Sequence, residues 1–576
     1  MTNIEISKIL KAMAVFYEMD GAAFKPRAYE KAAEAVAALR EDVKDIWKRG
    51  GEKALEEIPG VGPAIAGHLI FLMNGRLFPE YRRLKRKYPF DLDGLGGIEG
   101  LGPKTILLLW KKLGIKDLKD LERAASSGKI RDIPHLGEKT EQNILRGVEF
   151  MRQSAGRIPL GYILPLAEDI ESRLGQVPGV KHAVICGSIR RRKETIGDID
   201  ILVTTSHPKE AVDYFISMPE VQSVYAQGEG KASVRLKIGI DADLRVVPDE
   251  SFGAATQYFT GDKQHNVHVR TIAIKKGYKL NEYGLFRGKK NIARKTEEEI
   301  YKKLGMDLMP PEIRTDTGEV EAALAHKLPN LISYGAARGD LQTTTNWTDG
   351  AKSIREMALY AKKLGLEYIA ITDHTKALAM TGGLDERGLE RQGREIEKLN
   401  REIKEIRILK SAEVNILKDG SLDILDEALA KLDIVGAAVH TNFNMPEAEM
   451  TERIIRAMKN PNVDIIFHPT GRLLGRREPY KVNMAKLITA AKVTGTVLEI
   501  DAFPDRMDLC AEHARMAVKA GVKLSIDTDA HAPEHLEYLD LGVAMARAGW
   551  ARKSDIVNTM PLKEFLAWLK KPKSKR

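Results

Sequence analysis

The sequence predicts a multidomain chain built in three styles: an all-α amino-terminal region, a central α+β unit, and a carboxyl-terminal parallel β/α barrel. Three observations predict this. Residues 3–150 carry helical spacings interrupted by a recurring glycine turn, strand-like and helical runs begin to mix around Gly161, and from Gly339 to about Leu569 apolar β-rich runs alternate with amphipathic helices. A length of 576 residues, at roughly 100–200 residues per domain, fits three to five folding units and excludes a single small binding module.

Hydrophobic residues at 43%, charged residues at 30% and a mean hydropathy of −0.29 describe a chain with enough apolar surface for several cores. They exclude a disordered or collagen-like protein. No apolar run approaches the ~18 residues a membrane span needs, and Glu5 and Lys8 fall where a signal peptide would be apolar. A cytoplasmic monomer without membrane contact is expected. Cys186 and Cys510 sit in apolar strings, AVICGS and MDLCAE, and read as inert buried thiols.

The net charge of +10 is unevenly spread: +7 on residues 1–330, −3 on 331–550 and +6 on 551–576. A basic first half suits a polyanion partner, and the acidic later block suits a carboxylate-rich site.

In the amino-terminal region, Ile4–Met19 and Ala28–Leu39 have helical spacing. Three related segments follow, IPGVGPAIA from Ile58, IEGLGPKTI from Ile98 and IPHLGEKTE from Ile133. Each has the pattern of a helix, a glycine turn and a second helix opening with Pro, Lys or Glu. Such helices present free amides at their N-termini, which suit phosphates and carry no base information. Gly60, Gly62, Gly100, Gly102 and Gly137 are therefore expected to grip a nucleic-acid backbone irrespective of sequence.

The string CGSIRRRKETIGDIDILV, residues 186–203, carries the chemistry of the central unit. Asp198 and Asp200 lie two apart on an expected strand, so both face one side. With a third carboxylate from DADLRVV, where Asp241 and Asp243 share a face, they can hold two divalent cations. Gly187 and Ser188 read as a tight turn cradling a triphosphate, and Arg190, Arg191 and Arg192 as cationic contacts.

On these motifs, with YFTGD at Tyr258–Asp262 and LNEYGLF at Leu280–Phe286, residues 1–315 resemble the DNA polymerase X family, of which polymerase beta is the best known member. The resemblance implies a nucleotidyltransferase palm in which Asp198 and Asp200 bind both metals and Asp243 helps activate the primer 3′-hydroxyl. Asp241 becomes a neighbour. It further implies triphosphate contacts from Gly187, Ser188, Arg191 and Gly197, a sugar pocket lined by Tyr258, Phe259 and Gly261, a base contact from Asn266 and a template contact from Arg270. One departure is His68, standing where polymerase beta has its Schiff-base lysine. Imidazole offers no amine nucleophile, so lyase activity is expected to be absent or moved to Lys25 or Lys31.

The last third places Asp373 and His374, Glu413, His440, His468, Asp529 and His531 at the ends of expected strands, where barrel sites collect. Such N and O ligands suit Zn²⁺, Mn²⁺ or Fe. TDH, EVNILKDGSLD, HPTGR and TDAH resemble the PHP (polymerase and histidinol phosphatase) domain, a distorted (β/α)₇ barrel with a multinuclear metal centre. Members with this domain order are associated with 3′–5′ exonuclease and abasic-site endonuclease activity. Seven of nine ligands that the resemblance implies are present: Asp349, His374, Glu413, His440, His468, Asp529 and His531. Gln342 and Thr344 stand at the two histidine positions of the first motif, and Asn415 replaces an aspartate. Either a weaker centre that cleaves poorly or a barrel kept as a structural partner follows; the first is favoured, because losing imidazole weakens both affinity and water activation.

The expected protein is a DNA-directed polymerase for short-gap repair, taking gapped or primer-template DNA and dNTPs, with Mg²⁺ or Mn²⁺ in the palm and Zn²⁺ or Mn²⁺ in an incomplete barrel centre. The expected division is 1–85 and 86–150 (helical, DNA-gripping), 151–250 (palm), 251–315 (nucleotide selection, thumb-like), 316–335 (linker) and 336–576 (barrel with basic tail). A template-independent transferase, an abasic-site nuclease and a non-catalytic DNA-end scaffold are the alternatives.

Overall fold

The computed structural model describes all residues except 40, 97, 99, 100, 155, 379 and 380, and the side chains of 4, 38, 93, 139, 150–154 and 574 are likewise not described. Gly100 therefore lies outside the described residues.

Helices α1 (Asn3–Met19), α2 (Lys25–Ala38), α3 (Val43–Glu56), α4 (Pro63–Met73), α5 (Pro79–Lys87), α6 (Leu92–Gly96), α7 (Pro103–Leu113), α8 (Leu118–Ser126) and α9 (Glu138–Ser154) form the amino-terminal region around its own core. The three glycine segments join α3 to α4, α6 to α7 and α8 to α9. Gly62 and Gly102 are the N-caps of α4 and α7, each followed by proline, whose fixed φ suits a first helical turn. Gly60 has φ +78°, and a Cβ there would lie 2.7 Å from the Ala32 backbone nitrogen, so this turn packs on α2 and excludes other residues. The third turn reaches the same left-handed region with His135 at φ +71°.

In the central unit, β1 (Ile158–Pro159) leads into α10 (Leu160–Gly175) and β2 (Val180–Ile185). Next come α11 (Gly187–Arg190), β3 (Thr195–Ile196), which pairs with β1, and β4 (Asp198–Thr205). Then follow α12 (Pro208–Ile216), β5 (Val221–Gly228), β6 (Lys231–Leu236) and β7 (Asp241–Val247). The main sheet has the order β2-β4-β7-β6-β5. Strand β5 escapes the sequence reading because its residues are nearly all exposed and lack alternation. Helices α13 (Phe252–Thr260) and α14 (Lys263–Lys275) precede a small sheet of β8 (Lys279–Asn281), β9 (Gly284–Arg287) and β10 (Lys290–Ala293), then α15 (Glu297–Lys303) and α16 (Glu319–Leu324).

Glu297 ties the thumb-like part to the palm. It accepts from Arg190 Nη2 at 2.6 Å and Arg314 Nη1 at 2.5 Å, and these guanidiniums hold its carboxyl down at about 2 despite burial. The connector after it is structured: Glu319 is buried against His265 at 2.8 Å, and Glu312 accepts from Arg547 of the last domain at 2.8 Å.

In that domain β11 (Gly339–Thr343), β12 (Tyr368–Ile371) and β13 (Arg407–Lys410) run parallel, as do β14 (Glu413–Asn415), β15 (Gly436–Ala438), β16 (Ile465–Ile466), β17 (Val497–Asp501) and β18 (Leu524–Asp527). Strand β13 passes into β14 after two residues, and a parallel bridge from Thr343 to Ala530 returns to the first strand. The result is a mixed α/β domain of two parallel sheets, β11-β12-β13 and β14-β15-β16-β17-β18, with helices between most of their strands. The helix Leu562–Leu569 packs on its interior core, with Phe565 stacked on Tyr368 at 4.9 Å.

One hydrophobic core runs through palm and barrel together. Leu160 and Ile163 of α10 are fully buried in it, each contributing roughly 1.5–3 kcal/mol by area. Gly161 lies at the seam, where a Cβ would meet Pro504 at 2.6 Å and Leu541 at 2.7 Å. Helix α2 also reaches the barrel: Arg27 Nη2 donates to the Thr348 carbonyl at 3.2 Å and Lys31 Nζ to the Gly350 carbonyl at 3.0 Å. No described helix is long and apolar enough to cross a membrane.

Candidate active sites

Parallel pairing of β4 with β7 sets Asp198 opposite Asp241 and Asp200 opposite Asp243. Side chains on this face share the two-residue period, so the carboxylates of Asp198, Asp200 and Asp243 gather. Burial first, then the charges of Asp198 and Asp243, push the Asp200 carboxyl up to about 7. A group held that far from its ordinary range by desolvation and like charge marks a place built for a cation. Asp243 also accepts a short hydrogen bond from Ser233 Oγ. Asp241 is engaged instead by Arg235 Nε at 2.9 Å.

The glycine before Ser188 is imposed by this cluster. Gly187 has φ +57°, and a Cβ would stand 2.0 Å from Asp200 Oδ2. Gly187 and Ser188 open the four-residue helix α11 rather than forming a bare turn. Ser188 Oγ and Arg191 Nε are buried without a hydrogen-bond partner. Of the three consecutive arginines only Arg191 lines the cavity: Arg190 is bound to Glu297, and Arg192 lies 6.0 Å over the Tyr334 ring.

The cavity, about 670 Å³, is bounded by Gly187, Ser188, Arg191, Asp198, Asp200, Tyr258, Phe259, Gly261, Asn266 and Arg270. Asn266 is fixed by Gln257 Nε2 and by the Tyr258 carbonyl, each at 2.7 Å, while Arg270 Nε donates to the Asn266 carbonyl at 3.2 Å. Asp243 and Gly197 are not among the lining residues; Asp243 is paired opposite Asp200 on the neighbouring strand β7, and Gly197 lies against Arg157. Lys193 and Lys263 also line the cavity. The sequence reading missed both, although Lys193 ends the run of arginines. Cys186 behaves as expected, fully buried with its thiol pushed up to about 12.

His68 is held in an aromatic cluster, stacked on Phe78 at 3.8 Å with its Nδ1 2.8 Å from the Tyr29 hydroxyl. Lys25 lies 4.6 Å over the Tyr17 ring, and Lys31 makes the barrel contact described above.

At the barrel mouth the strand ends bring together two ligand groups, Asp349 with His374 and His531, and His374 with Glu413 and His440. His468 Nε2 lies 2.9 Å from Glu413 Oε1, as does His440 Nε2. Despite complete burial, His374 and His440 hold Glu413 well below the usual carboxylate range. Against burial, Asp529 and Asp349 raise His531 to about 9. His468 and Asp529 both have positive φ, +31° and +50°, local strain of the kind that collects at functional sites. The donor set of His, Asp and Glu at these two groups fits borderline divalent ions.

The residues read as departures fall differently. Asn415 serves as a support: its Oδ1 accepts from His440 Nδ1 at 2.7 Å and its Nδ2 donates to Asp423 at 2.9 Å. Gln342 is buried with its amide against both Glu499 oxygens, at 2.6 and 3.2 Å, the nitrogen being assigned to that side because only then are both amide atoms satisfied, and Thr344 Oγ1 is buried without a partner. Asp373 is occupied by Thr345, Thr348 and Gln392 and shapes the loop that carries Asp349. Arg506, which the sequence reading passed over, lies between Asp501 (3.2 Å) and Asp529 (3.1 Å).

Four family models match the chain: the helix-hairpin-helix domain at 1–75, the SAM-like helix-hairpin-helix tandem at 92–149, the DNA polymerase beta palm at 157–232 and the DNA polymerase beta thumb at 255–315. Fold and site thus define a polymerase of the beta type joined to a metal-dependent hydrolase-like barrel. The DNA polymerase/3′-5′ exonuclease PolX of Bacillus subtilis (strain 168) is 37% identical over 576 residues, 99% of this chain and 100% of that one. A probable phosphatase of Thermoanaerobacter sp. (strain X514) is 34% identical over 189 residues, 31% of this chain and 72% of its own length. DNA polymerase lambda of Rattus norvegicus is 25% identical over 345 residues, 54% of this chain and 56% of its own. The chain belongs to the DNA polymerase X (PolX) family.

Proposed function

We propose that the protein extends a primer 3′-hydroxyl by dNMP in short DNA gaps, with Asp198, Asp200 and Asp243 as its catalytic carboxylates. The observation that carries this reading is the single cavity joining Ser188, Arg191, Asp198 and Asp200 to Tyr258, Phe259, Gly261, Asn266 and Arg270. In it Asp198 and Asp200 would hold Mg²⁺ or Mn²⁺, which would supply charge for an attacking hydroxyl and a departing pyrophosphate. Asp243 helps take up the primer proton. The unpartnered Ser188 hydroxyl and Arg191 Nε bind the triphosphate, the guanidinium being held in place by its Nη1 on the Thr260 carbonyl, and Gly187 lets the backbone approach it. Tyr258, Phe259 and Gly261 wall the sugar, Asn266 meets the base and Arg270 the template strand.

Gly60, Gly62, Gly102 and Gly137 are exposed at their turns, which supports backbone gripping by the helical region. The proposed domain limits remain 85, 150, 250, 315 and 335, of which the first two fall inside α5 (Pro79–Lys87) and α9 (Glu138–Ser154). The barrel centre, with Asp349, His374, Glu413, His440, His468, Asp529 and His531 toward Zn²⁺ or Mn²⁺, is a phosphodiesterase weakened by Gln342 and Thr344. Extension of a one-nucleotide gapped duplex with Mg²⁺ or Mn²⁺, against a single-stranded control, tests the polymerase reading. Wild type extends the gap and Asp243→Ala does not. Equal extension of the single strand favours a template-independent transferase, and no extension by either protein favours a scaffold.

A further inference from the structure

The barrel centre is the place where the family's donor set and this chain disagree, and the inference rests on the reading of that centre as metal-binding. Nine ligand positions, at about three protein ligands per open site, suit three ions. Two of the three are well furnished here: Asp349, His374 and His531 on one side, His374, Glu413 and His440 on the other. The third has lost both imidazoles. Gln342 offers a neutral amide whose nitrogen, in the orientation that satisfies both its polar atoms, is committed to Glu499, and Thr344 offers a neutral hydroxyl; neither replaces an imidazole well.

Yet the acidic wall of that position is intact and still needs a cation. Asp501 and Asp529 are buried there, and buried carboxylates persist only when paired. The pairing comes from Arg506, whose Nε donates to Asp529 Oδ2 at 3.1 Å and stands at ion-pair distance, 3.2 Å, from Asp501 Oδ2, which accepts no hydrogen bond. Glu413 and Asp508 add to the field that favours its charge. A guanidinium stays charged at any physiological pH, donates to carboxylates and has no lone pair for a metal.

We propose that Arg506 is the fixed cation of this third position: its guanidinium neutralises Asp501 and Asp529 where Gln342 and Thr344 no longer hold an ion, and the barrel loads two divalent ions. Asp529, engaged with Arg506, then serves the centre mainly through His531, whose Nδ1 is 3.8 Å from its Oδ1.

The test is metal content by mass spectrometry on the full chain, loaded with Mn²⁺ and desalted, in an Asp198→Asn/Asp200→Asn background that silences the palm. Two ions per chain are expected, unchanged in Arg506→Lys. Gln342→His/Thr344→His also stays at two while Arg506 is present, and adding Arg506→Met to that pair raises the count to three. Three ions without Arg506→Met, in the parent or in the double-histidine variant, overturns the role of Arg506; zero ions overturns the metal-centre reading beneath it. Should the triple variant not fold, the counts for the parent and the double-histidine variant still decide the matter.

Discussion

Asn415 Oδ1 lies 2.7 Å from His440 Nδ1, while His440 Nε2 points to Glu413 Oε1 at 2.9 Å. Because the Asn415 amide nitrogen is spent on Thr375 and Asp423, its oxygen can only accept, which fixes the histidine proton on Nδ1. Nε2 is thereby free for a cation. Asn415, which stands where the resemblance implies an aspartate, is a support that sets a tautomer.

Asn415→Ala is expected to weaken Mn²⁺ or Zn²⁺ binding by the barrel roughly 10–100-fold, the usual cost of removing such a partner. Asn415→Asp keeps the acceptor for His440 but replaces the donor to Asp423 by a second carboxylate at 2.9 Å, so it is expected to fall between Asn415→Ala and wild type. Isothermal titration of each variant with metal checks this, and equal affinity for Asn415→Ala and wild type would refute it.

The Asp200 carboxyl, raised from 3.8 to about 7, makes metal-free stability depend on pH. The native state keeps this proton longer than the unfolded chain, so unfolding releases it between about pH 4 and 7. The group therefore costs nothing below pH 4, and native stability falls as pH rises through the window, by at most about 4 kcal/mol at 1.36 per unit. Asp200→Asn removes this part of the slope, and Mg²⁺ flattens it by compensating the charge. Urea unfolding in chelator at pH 4.5, 6 and 7.5 measures both effects.

Gly187→Ala places a methyl where Asp200 Oδ2 now lies, in a backbone region that L-residues avoid. The carboxylate must move by an ångström or more, and a displacement of that size at a reacting centre costs about 10²-fold in rate. Gap extension is expected to fall by that factor or more, with barrel metal content unchanged. Extension within threefold of wild type would show that the contact is soft.

His68 stacks on Phe78 and meets the Tyr29 hydroxyl, and neither Lys25 nor Lys31 is free of a partner. Borohydride is expected to trap no adduct between wild type and a 5′-deoxyribose-phosphate end. His68→Lys gains one, because it restores an amine at that place. An adduct mapped to any lysine in residues 1–85 of wild type would contradict the expectation.

Much of this was legible in the sequence for local reasons. Asp198 and Asp200 share a face because strand side chains alternate, and the hairpin glycines announce their turns because few other residues accept the backbone angles required. Asp349, His374, Glu413, His440, His468, Asp529 and His531 each end a strand or follow one, so their convergence follows from parallel strands. Strand β5 was hidden because solvent covers it. From the residues alone Arg190, Arg191 and Arg192 could not be told apart, since the partner that removes Arg190, Glu297, lies 107 residues away; only the family resemblance singled out Arg191.

The sequence by itself determined the order of the helical, palm and carboxyl-terminal parts and the carboxylate cluster, because each depends on neighbours in the chain or on a repeating geometry; that Gln342 and Thr344 stand at histidine positions followed from the family resemblance. Only the tertiary structure decided which charges are answered and by what. It is folding that brings Asn415 to His440, Gln342 to Glu499 and Arg506 between Asp501 and Asp529. A buried charge is stable only beside its opposite, and no spacing along the chain records which residue that will be.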